Sequence, residues 1–267
     1  IDTNESEDIL SDLYLTYKPE LGKRNELSIM AGISYETYLG RSYSMSSYDF
    51  VNETLQNENM AVGNPTLNKH SNGYTQTKLL SYVFRTNYTY NDKYLATITA
   101  RADGSSKFGE NNKWAFFPSA ALAWKAHNES FINNLDVFDE LKVRASYGVS
   151  GNQGISPYQT LSRYGIDTYF ANGKWETAIG PGYIVARTGA DSRYTEWGGI
   201  PNKNLKWEST AQADFGIDMS FFNKRLRLTF DYYNKHTYDL LRESYVSLSS
   251  GFDKMWINDG EISNKGI

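Results

Sequence analysis

The sequence predicts an all-β chain, part of a large antiparallel transmembrane β-barrel with long extracellular loops and short periplasmic turns. Three observations predict it. The dominant hydrophobic period is two and recurs along the chain. The alternating segments run to about ten residues, the length a tilted membrane strand needs, whereas soluble sandwich strands usually run to about five or six. Aromatic residues gather at segment ends, and tight turns alternate with long polar connections.

Each strand has one apolar and one polar face. In 94–103 one face carries Tyr94, Ala96, Ile98, Ala100 and Ala102, opposite Thr97, Thr99, Arg101 and Asp103, with Leu95 the exception. In 141–150, Leu141, Val143, Ala145, Tyr147 and Val149 oppose Lys142, Arg144, Ser146, Gly148 and Ser150. In 210–221, Ala211, Ala213, Phe215, Ile217, Met219 and Phe221 share one face. Segments 27–36, 82–90, 114–125 and 226–237 repeat the pattern, and the whole reads as about nine to eleven strands. A soluble β-sandwich alternates in the same way, so strand length and aromatic placement decide between the two. On 114–125 the apolar face runs from Trp114 to Trp124, ten residues apart. At roughly 3.3 Å per residue this is about 33 Å of strand. Tilted by about 40° it covers about 25 Å of height, the apolar band between two aromatic girdles.

The connections set the polarity of the sheet. Asn91-Asp92-Lys93 and Asn223-Lys224-Arg225 are tight turns, while 48–78 and 151–204 are long and polar. Segment 127–140 falls on the short-turn side despite its length, with a brief helical turn expected around Phe131 and Leu135. Residues 1–21 read as the tail of an earlier hairpin, and 255–267 as the start of a further strand.

Composition narrows the chemistry. There is no cysteine, which excludes disulfides and thiolate metal sites. No segment holds 18 consecutive apolar residues, so no transmembrane helix is present, which leaves a barrel open. Net charge is −4, without a run of Lys or Arg, so no nucleic-acid partner is expected. No cofactor and no metal are expected. His70, His127 and His236 lack ligand spacing, and no nucleophile motif accompanies them, so no catalytic residue is assigned. Asp103-Gly104-Ser105-Ser106 lacks the Gly-Lys-Ser/Thr ending of a phosphate loop and reads as a turn leaving a strand.

The loop region after residue 151 carries the binding candidates. Tyr158, Tyr164, Trp175, Tyr183 and Trp197 stand in one polar stretch with Tyr169, Phe170 and Tyr194. Aromatic faces stack on sugar rings or grip peptide side chains at low entropic cost, and they also pack such loops onto themselves. Gly151, Asn152 and Gln153, followed by Gly154, open this loop with turn chemistry. Trp207 belongs to the strand rim. The polar strand faces mix both signs, with Arg85, Arg101, Lys142, Arg144, Asp214, Asp218, Arg227, Asp231 and Lys235, which suits salt bridges to a plug more than an ion pore.

Three segments carry a family resemblance. Residues 90–125 read YNDKYLATITARADGSSKFGENNKWAFFPSAALAWK, residues 139–159 read DELKVRASYGVSGNQGISPYQ, and residues 201–241 run from PNKNLKWEST through GIDMSFFNKRL to DYYNKHTYDLL. Their order and spacing resemble the SusC/RagA type of TonB-dependent outer-membrane transporter, with its "RaDGSSkFg", "GNq" and "pNpnLkWE" patterns. The resemblance implies a barrel of about twenty-two strands enclosing a plug. It implies import of a glycan oligosaccharide or peptide across the cell outer membrane, without covalent chemistry. The implied partners are a SusD-like surface lipoprotein acting as a lid, the TonB–ExbB–ExbD energy-transducing complex and outer-membrane lipid. Gly151, Asn152 and Gln153 then become candidates for meeting the lid or closing over substrate.

Residues 1–267 show no plug, no TonB box and no closing strand of that family. An open sheet would leave unpaired edges in lipid, so the chain is expected to be a barrel segment of a longer polypeptide. Two other readings make different predictions: a surface adhesion or structural barrel that transports nothing, and a soluble carbohydrate-binding β-sandwich, which extracts without detergent.

Overall fold

The alternating segments fold into strands that hydrogen-bond in sequence order. The computed structural model describes every residue except 52, 53, 55, 163, 164, 181–199, 251 and 253. Among the described residues the strands are β1 (Asp2–Tyr17), β2 (Asn25–Ser46), β3 (Lys69–Tyr90), β4 (Tyr94–Ser105), β5 (Trp114–Lys125), β6 (Glu140–Asn152), β7 (Gly165–Ala171), β8 (Lys174–Gly180), β9 (Glu208–Phe221), β10 (Leu226–Tyr238), β11 (Leu241–Tyr245), β12 (Lys254–Asn258) and β13 (Glu261–Gly266). Nine of them form one antiparallel sheet in the order β1-β2-β3-β4-β5-β6-β9-β10-β13. The pairs β7–β8 and β11–β12 are separate hairpins within two of the long connections.

Register converts the alternation into two continuous surfaces. Leu13, Ile33, Tyr82, Ala102 and Phe116 face one another in turn across β1 to β5. Lower on the same face run Tyr90, Tyr94, Trp124, Val143, Ile217 and Phe230, across β3, β4, β5, β6, β9 and β10. The opposite face carries Arg85, Thr99, Ser119, Gly148, Gln212 and Lys235 in one row. A slip of one residue at any pairing would move a strand's whole apolar set across the sheet, so the unbroken rows show that the registers from β1 to β10 obey one inside–outside rule, whereas β13 sets Glu261 and Ser263 beside Tyr238 and His236 on the apolar face.

The apolar face packs on no second layer. Leu122, Phe116 and Ile98 are 64%, 62% and 57% exposed, while the buried apolar residues among those described are Phe108, Phe117, Ala126, Ile155, Leu205 and Trp207. A soluble sandwich buries its greasy face against another sheet. This sheet leaves it bare, as the wall of a barrel in lipid does. No helix among the described residues is long and apolar enough to cross a membrane.

Several boundaries differ from the sequence expectation. Strands β2 and β3 each span 22 residues, so the connection expected at 48–78 shrinks to 47–68. The reason is visible in Lys69–Lys78: this stretch has polar residues on both faces and carries no alternation to read. Residues 1–21 form a full hairpin partner in β1. Asp103 and Gly104 stay inside β4, paired with Ala115 and Trp114, and do not start a turn. Beyond β10 the chain makes β12 and then β13, which returns to β10.

The turns at 91–93 and 222–225 on the opposite end are tight. Asn91 and Asp92 take positive φ (52° and 49°) and Lys93 N donates to Tyr90 O at 3.0 Å, the left-handed geometry a twisted hairpin prefers. The connection 126–139 holds a 3-10 turn (Ala126–Asn128) and a one-turn helix α1 (Ser130–Asn133) that includes Phe131 but ends before Leu135. It is tied to the 91–93 turn by Lys93 Nζ to Glu129 (2.7 Å), by the Tyr94 hydroxyl donating to Glu129 (2.6 Å) and by Lys125 Nζ to Asp92 (2.6 Å). Asn128 Nδ2 also donates to Asp92 O at 2.9 Å. The Lys125 ammonium holds the Asp92 carboxyl below its ordinary value, and Lys93, followed by the Tyr94 hydroxyl, does the same to Glu129.

Candidate functional site

The buried side chains concentrate at the end of the sheet where the long connections meet. Residues 106–113 join β4 to β5, residues 153–207 join β6 to β9, and residues 239–260 join β10 to β13. Phe108, from the first, packs at a tilt of 36° against Trp207, from the second, with ring centroids 4.9 Å apart. Phe117 of β5 meets Trp207 edge-on at 5.5 Å, and Ile155 and Leu205 complete the cluster. Leu241 of β11 and Trp256 of β12 pack against it from the third connection. Trp207 Nε1 donates to Lys113 O at 3.1 Å, so its polar edge is satisfied as its ring is buried.

Two glycines permit this closeness. A Cβ on Gly151 would sit 2.1 Å from Cζ of Phe117, and one on Gly109 would sit 2.3 Å from the Lys203 carbonyl oxygen. Gly151 is therefore needed for ring contact rather than for a turn. Gly151 and Asn152 lie in the last residues of β6, paired with Ser209 and Glu208.

Polar side chains lace the same region. Arg101 Nε donates to both Asp103 oxygens at 2.7 and 2.8 Å, and Arg101 Nη2 donates to Ser81 Oγ at 3.0 Å. Ser105 Oγ donates to Gln153 Oε1 at 2.7 Å. Asn152 Nδ2 donates to one oxygen of Glu208 and Leu241 N to the other, both at 3.1 Å. Asn111 and Asn112 donate to the side chain and backbone oxygens of Asn204, each at 2.9 Å, and Asn202 Nδ2 donates to Trp256 O at 2.8 Å. Three connections far apart in sequence are thus fixed to one another and to the strand ends.

Beside this junction is a notch. Pairing of β3 with β4 stops at Leu79 and Ser105, while β3 continues upward to Lys69. The first backbone groups past the stop are capped by neighbouring loops. Lys78 N donates to Ser106 Oγ and Ser106 N to Lys78 O, both at 2.9 Å. Gln76 N donates to the Tyr158 hydroxyl at 2.8 Å. Tyr158 adopts φ of 64°, the left-handed region. A cavity of about 640 Å³ opens here, lined among others by Gln76, Lys78, Phe108, Lys113, Tyr158 and Lys203.

The structure therefore distributes the sequence candidates unevenly. Tyr158 lines the cavity. Gly151, Asn152 and Gln153 belong to the junction beneath it. The backbone of Trp175 lies in β8 and its side chain is outside what the structure describes. Tyr164, Tyr183 and Trp197 fall outside the described residues. Lys78, Lys113 and Lys203 were not singled out from sequence, because they meet only when β3 and two loops converge.

On the polar face, Arg144 bridges β9 and β10, with Nε 3.0 Å from Asp218 and Nη2 2.7 Å from Asp231. Gly216 between them leaves room, since a Cβ there would lie 2.6 Å from Arg144 Cζ. Ser146 Oγ and Gln212 Nε2 both donate to Asp214, at 3.2 and 2.8 Å.

No group of three or more metal-binding side chains occurs among the described residues. A serine and an acid do flank one histidine: His236 Nδ1 is 2.9 Å from Ser263 Oγ, and Nε2 is 3.4 Å from Glu261. His236 pairs with Ala211 and so shares the face of Phe215 and Phe230, opposite the polar surface.

A family model described as TonB dependent receptor-like, beta-barrel, matches residues 3–267. Among curated relatives, TonB-dependent receptor P3 of Formosa agariphila is 38% identical over 257 residues, covering 96% of this chain and 24% of that protein. TonB-dependent receptor SusC of Bacteroides thetaiotaomicron is 34% identical over 195 residues, covering 72% of this chain and 18% of that protein. The RagAB peptide transporter structure aligns with a TM-score of 0.79 at 25% identity, over 99% of this chain and 28% of that one. The siderophore receptor PirA from Pseudomonas aeruginosa, at 13% identity and a TM-score of 0.57 over 98% of this chain and 39% of that one, shares the fold alone. The chain thus spans less than a quarter of the length of these curated relatives.

Proposed function

The chain belongs to the TonB-dependent receptor β-barrel family, and from that premise we propose that it forms part of the wall and mouth of a SusC/RagA-type importer in the outer membrane. This family consists of transporters, not enzymes. In this reading the bare apolar rows face lipid, the polar rows face a lumen that holds a plug, and the tied loops form a rigid extracellular mouth. A solute, an oligosaccharide or a peptide, binds at the mouth under a SusD-like lipoprotein lid. Energy from TonB then moves the plug and opens the path. Tyr158 is the foremost solute contact, with Tyr164, Trp175, Tyr183 and Trp197 as further loop candidates. Gly151, Asn152 and Gln153 act by holding the mouth's shape.

The observation that carries this reading is the unbroken register of exposed apolar rows opposite charged ones, ending in a mouth stiffened by the same residues that make up the family motifs. Rigid loops suit a binding mouth because less conformational entropy is lost when solute docks. The test is solute uptake by cells carrying the full-length gene, with and without functional TonB. Import that stops when TonB is removed is the expected result. Uptake independent of TonB, or extraction of the full-length protein into buffer without detergent, overturns it.

A further inference from the structure

The notch cavity concentrates positive charge in a chain whose net charge is −4. Its lining includes three lysines, Lys78, Lys113 and Lys203, and one acidic residue, Glu110. Lys203 meets Glu110 only at 3.8 Å with both groups largely exposed, and Lys78 and Lys113 form no ion pair among the described residues. Cations gathered in a concave site without counter-ions focus the field toward an incoming anion. The cavity's volume, about 640 Å³, suits a ligand of several hundred daltons.

The lining also selects among anions. Tyr158 is 36% exposed and offers a ring face beside the lysines, a surface that stacks on sugar rings. Thr160 and Ser162 add hydroxyl groups. An extended peptide would add to the edge of β3 through backbone hydrogen bonds, but at the cavity that edge is taken. Gln76 N already donates to Tyr158, and both backbone groups of Lys78 are bonded to Ser106.

We propose that this cavity binds an acidic oligosaccharide, one carrying carboxylate or sulfate groups, through Lys78, Lys113 and Lys203 with Tyr158 as the stacking surface. The proposal rests on the import reading and names the solute class of that same mouth. The lysines hold the acidic groups at the rim, and salt weakens the attachment because the groups are solvated.

The test uses the full-length protein purified in detergent with any lipoprotein that accompanies it. Calorimetric titrations compare tetragalacturonate, a sulfated galactan tetrasaccharide, neutral maltotetraose, tetraglutamate and lipopolysaccharide. At least one acidic sugar is expected to bind about tenfold or more tighter than maltotetraose, with affinity falling in about 0.5 M salt. The pair K78Q/K113Q should lose about tenfold in affinity while K78R/K113R keeps it. Heat-modifiable migration on gels confirms that both variants fold. No binding by either acidic sugar, equal binding of maltotetraose, stronger binding of tetraglutamate or of lipopolysaccharide, or indifference to K78Q/K113Q each overturns the proposal. Uptake assays separate this outcome from the import reading. TonB-dependent import of a neutral solute sinks the acidic-sugar proposal and keeps import, whereas tight acidic-sugar binding without any uptake does the reverse.

Discussion

Phe117 and Gly151 are matched as ring and gap: the phenyl ring of β5 occupies the space where a side chain on residue 151 would begin. Gly151→Ala is therefore expected to force the ring aside and loosen the mouth, at a cost of about 1–3 kcal/mol typical of overpacking. Thermal unfolding of the full-length protein in detergent measures it. In a Phe117→Ala background the same substitution should cost much less, because the clash is gone. Equal losses in both backgrounds would show that Gly151 acts through something other than Phe117.

Trp207 contributes a ring and a donor, and the two are separable. Trp207→Phe keeps aromatic packing against Phe108 but removes the 3.1 Å bond to Lys113 O, which still accepts from Ser105 N at 3.0 Å, so a loss of no more than about 1 kcal/mol is expected. Trp207→Ala opens a cavity under all three connections and should cost about 3–5 kcal/mol. Limited proteolysis reads this locally. Cleavage within 106–113 and 239–260 should rise sharply in the alanine variant and little in the phenylalanine variant.

The clasp between the 91–93 turn and the 126–139 connection predicts a pH response. Lys125 lowers the Asp92 pKa and Lys93 lowers that of Glu129, so each carboxylate binds protons less readily folded than unfolded. Depressed pKa values mean that the contribution to stability is present above the ordinary carboxylate values, about 3.9 and 4.3. It is lost as pH falls through the lower folded values. Hydrogen exchange, corrected for intrinsic rates, should show 126–139 loosening below about pH 4 while the central strands stay protected. Asp92→Asn with Glu129→Gln should show that looseness already at pH 7. An acid response unchanged by the double variant counts against the clasp.

On the polar face, Gly216→Ala is expected to push the Arg144 guanidinium off Asp231, and Arg144→Leu leaves both Asp218 and Asp231 without their cation. The groups are partly exposed, so the loss should stay near 0.5–1 kcal/mol for each variant. Asp231→Asn, which removes one of the two carboxylates and keeps the Asp218 pair, should cost less than Arg144→Leu. Chemical denaturation of the detergent-solubilised protein, monitored by strand circular dichroism, ranks the three.

Strands were legible where one face is greasy. Strand β5 spans Trp114 to Lys125 as the alternation indicates, and β4, β6, β9 and β10 differ from it by a residue or two. The upper half of β3 was not legible, because residues 69–78 are polar on both faces and the only signal is hydrogen bonding to β2. Phe117 illustrates the other limit. It sits among polar neighbours on its face and looks like an exception to the pattern. Only the arrival of Trp207 and Ile155 from distant sequence makes it core. The cavity lysines were invisible for the same reason, whereas Tyr158 could be singled out because aromatic residues in a polar loop are conspicuous by composition alone.

The rim of this wall is not level. Residues 69–78 carry β3 past its neighbour β4 by about 33 Å at roughly 3.3 Å per residue, with β2 beside it for the whole way. A parapet of that height stands on one flank of the lysine-lined hollow, and residues 106–113 form a lower shoulder on the other. In the importer reading, size and angle of approach would be screened by the unequal reach of two adjacent strands before any chemical group on the visitor is recognised.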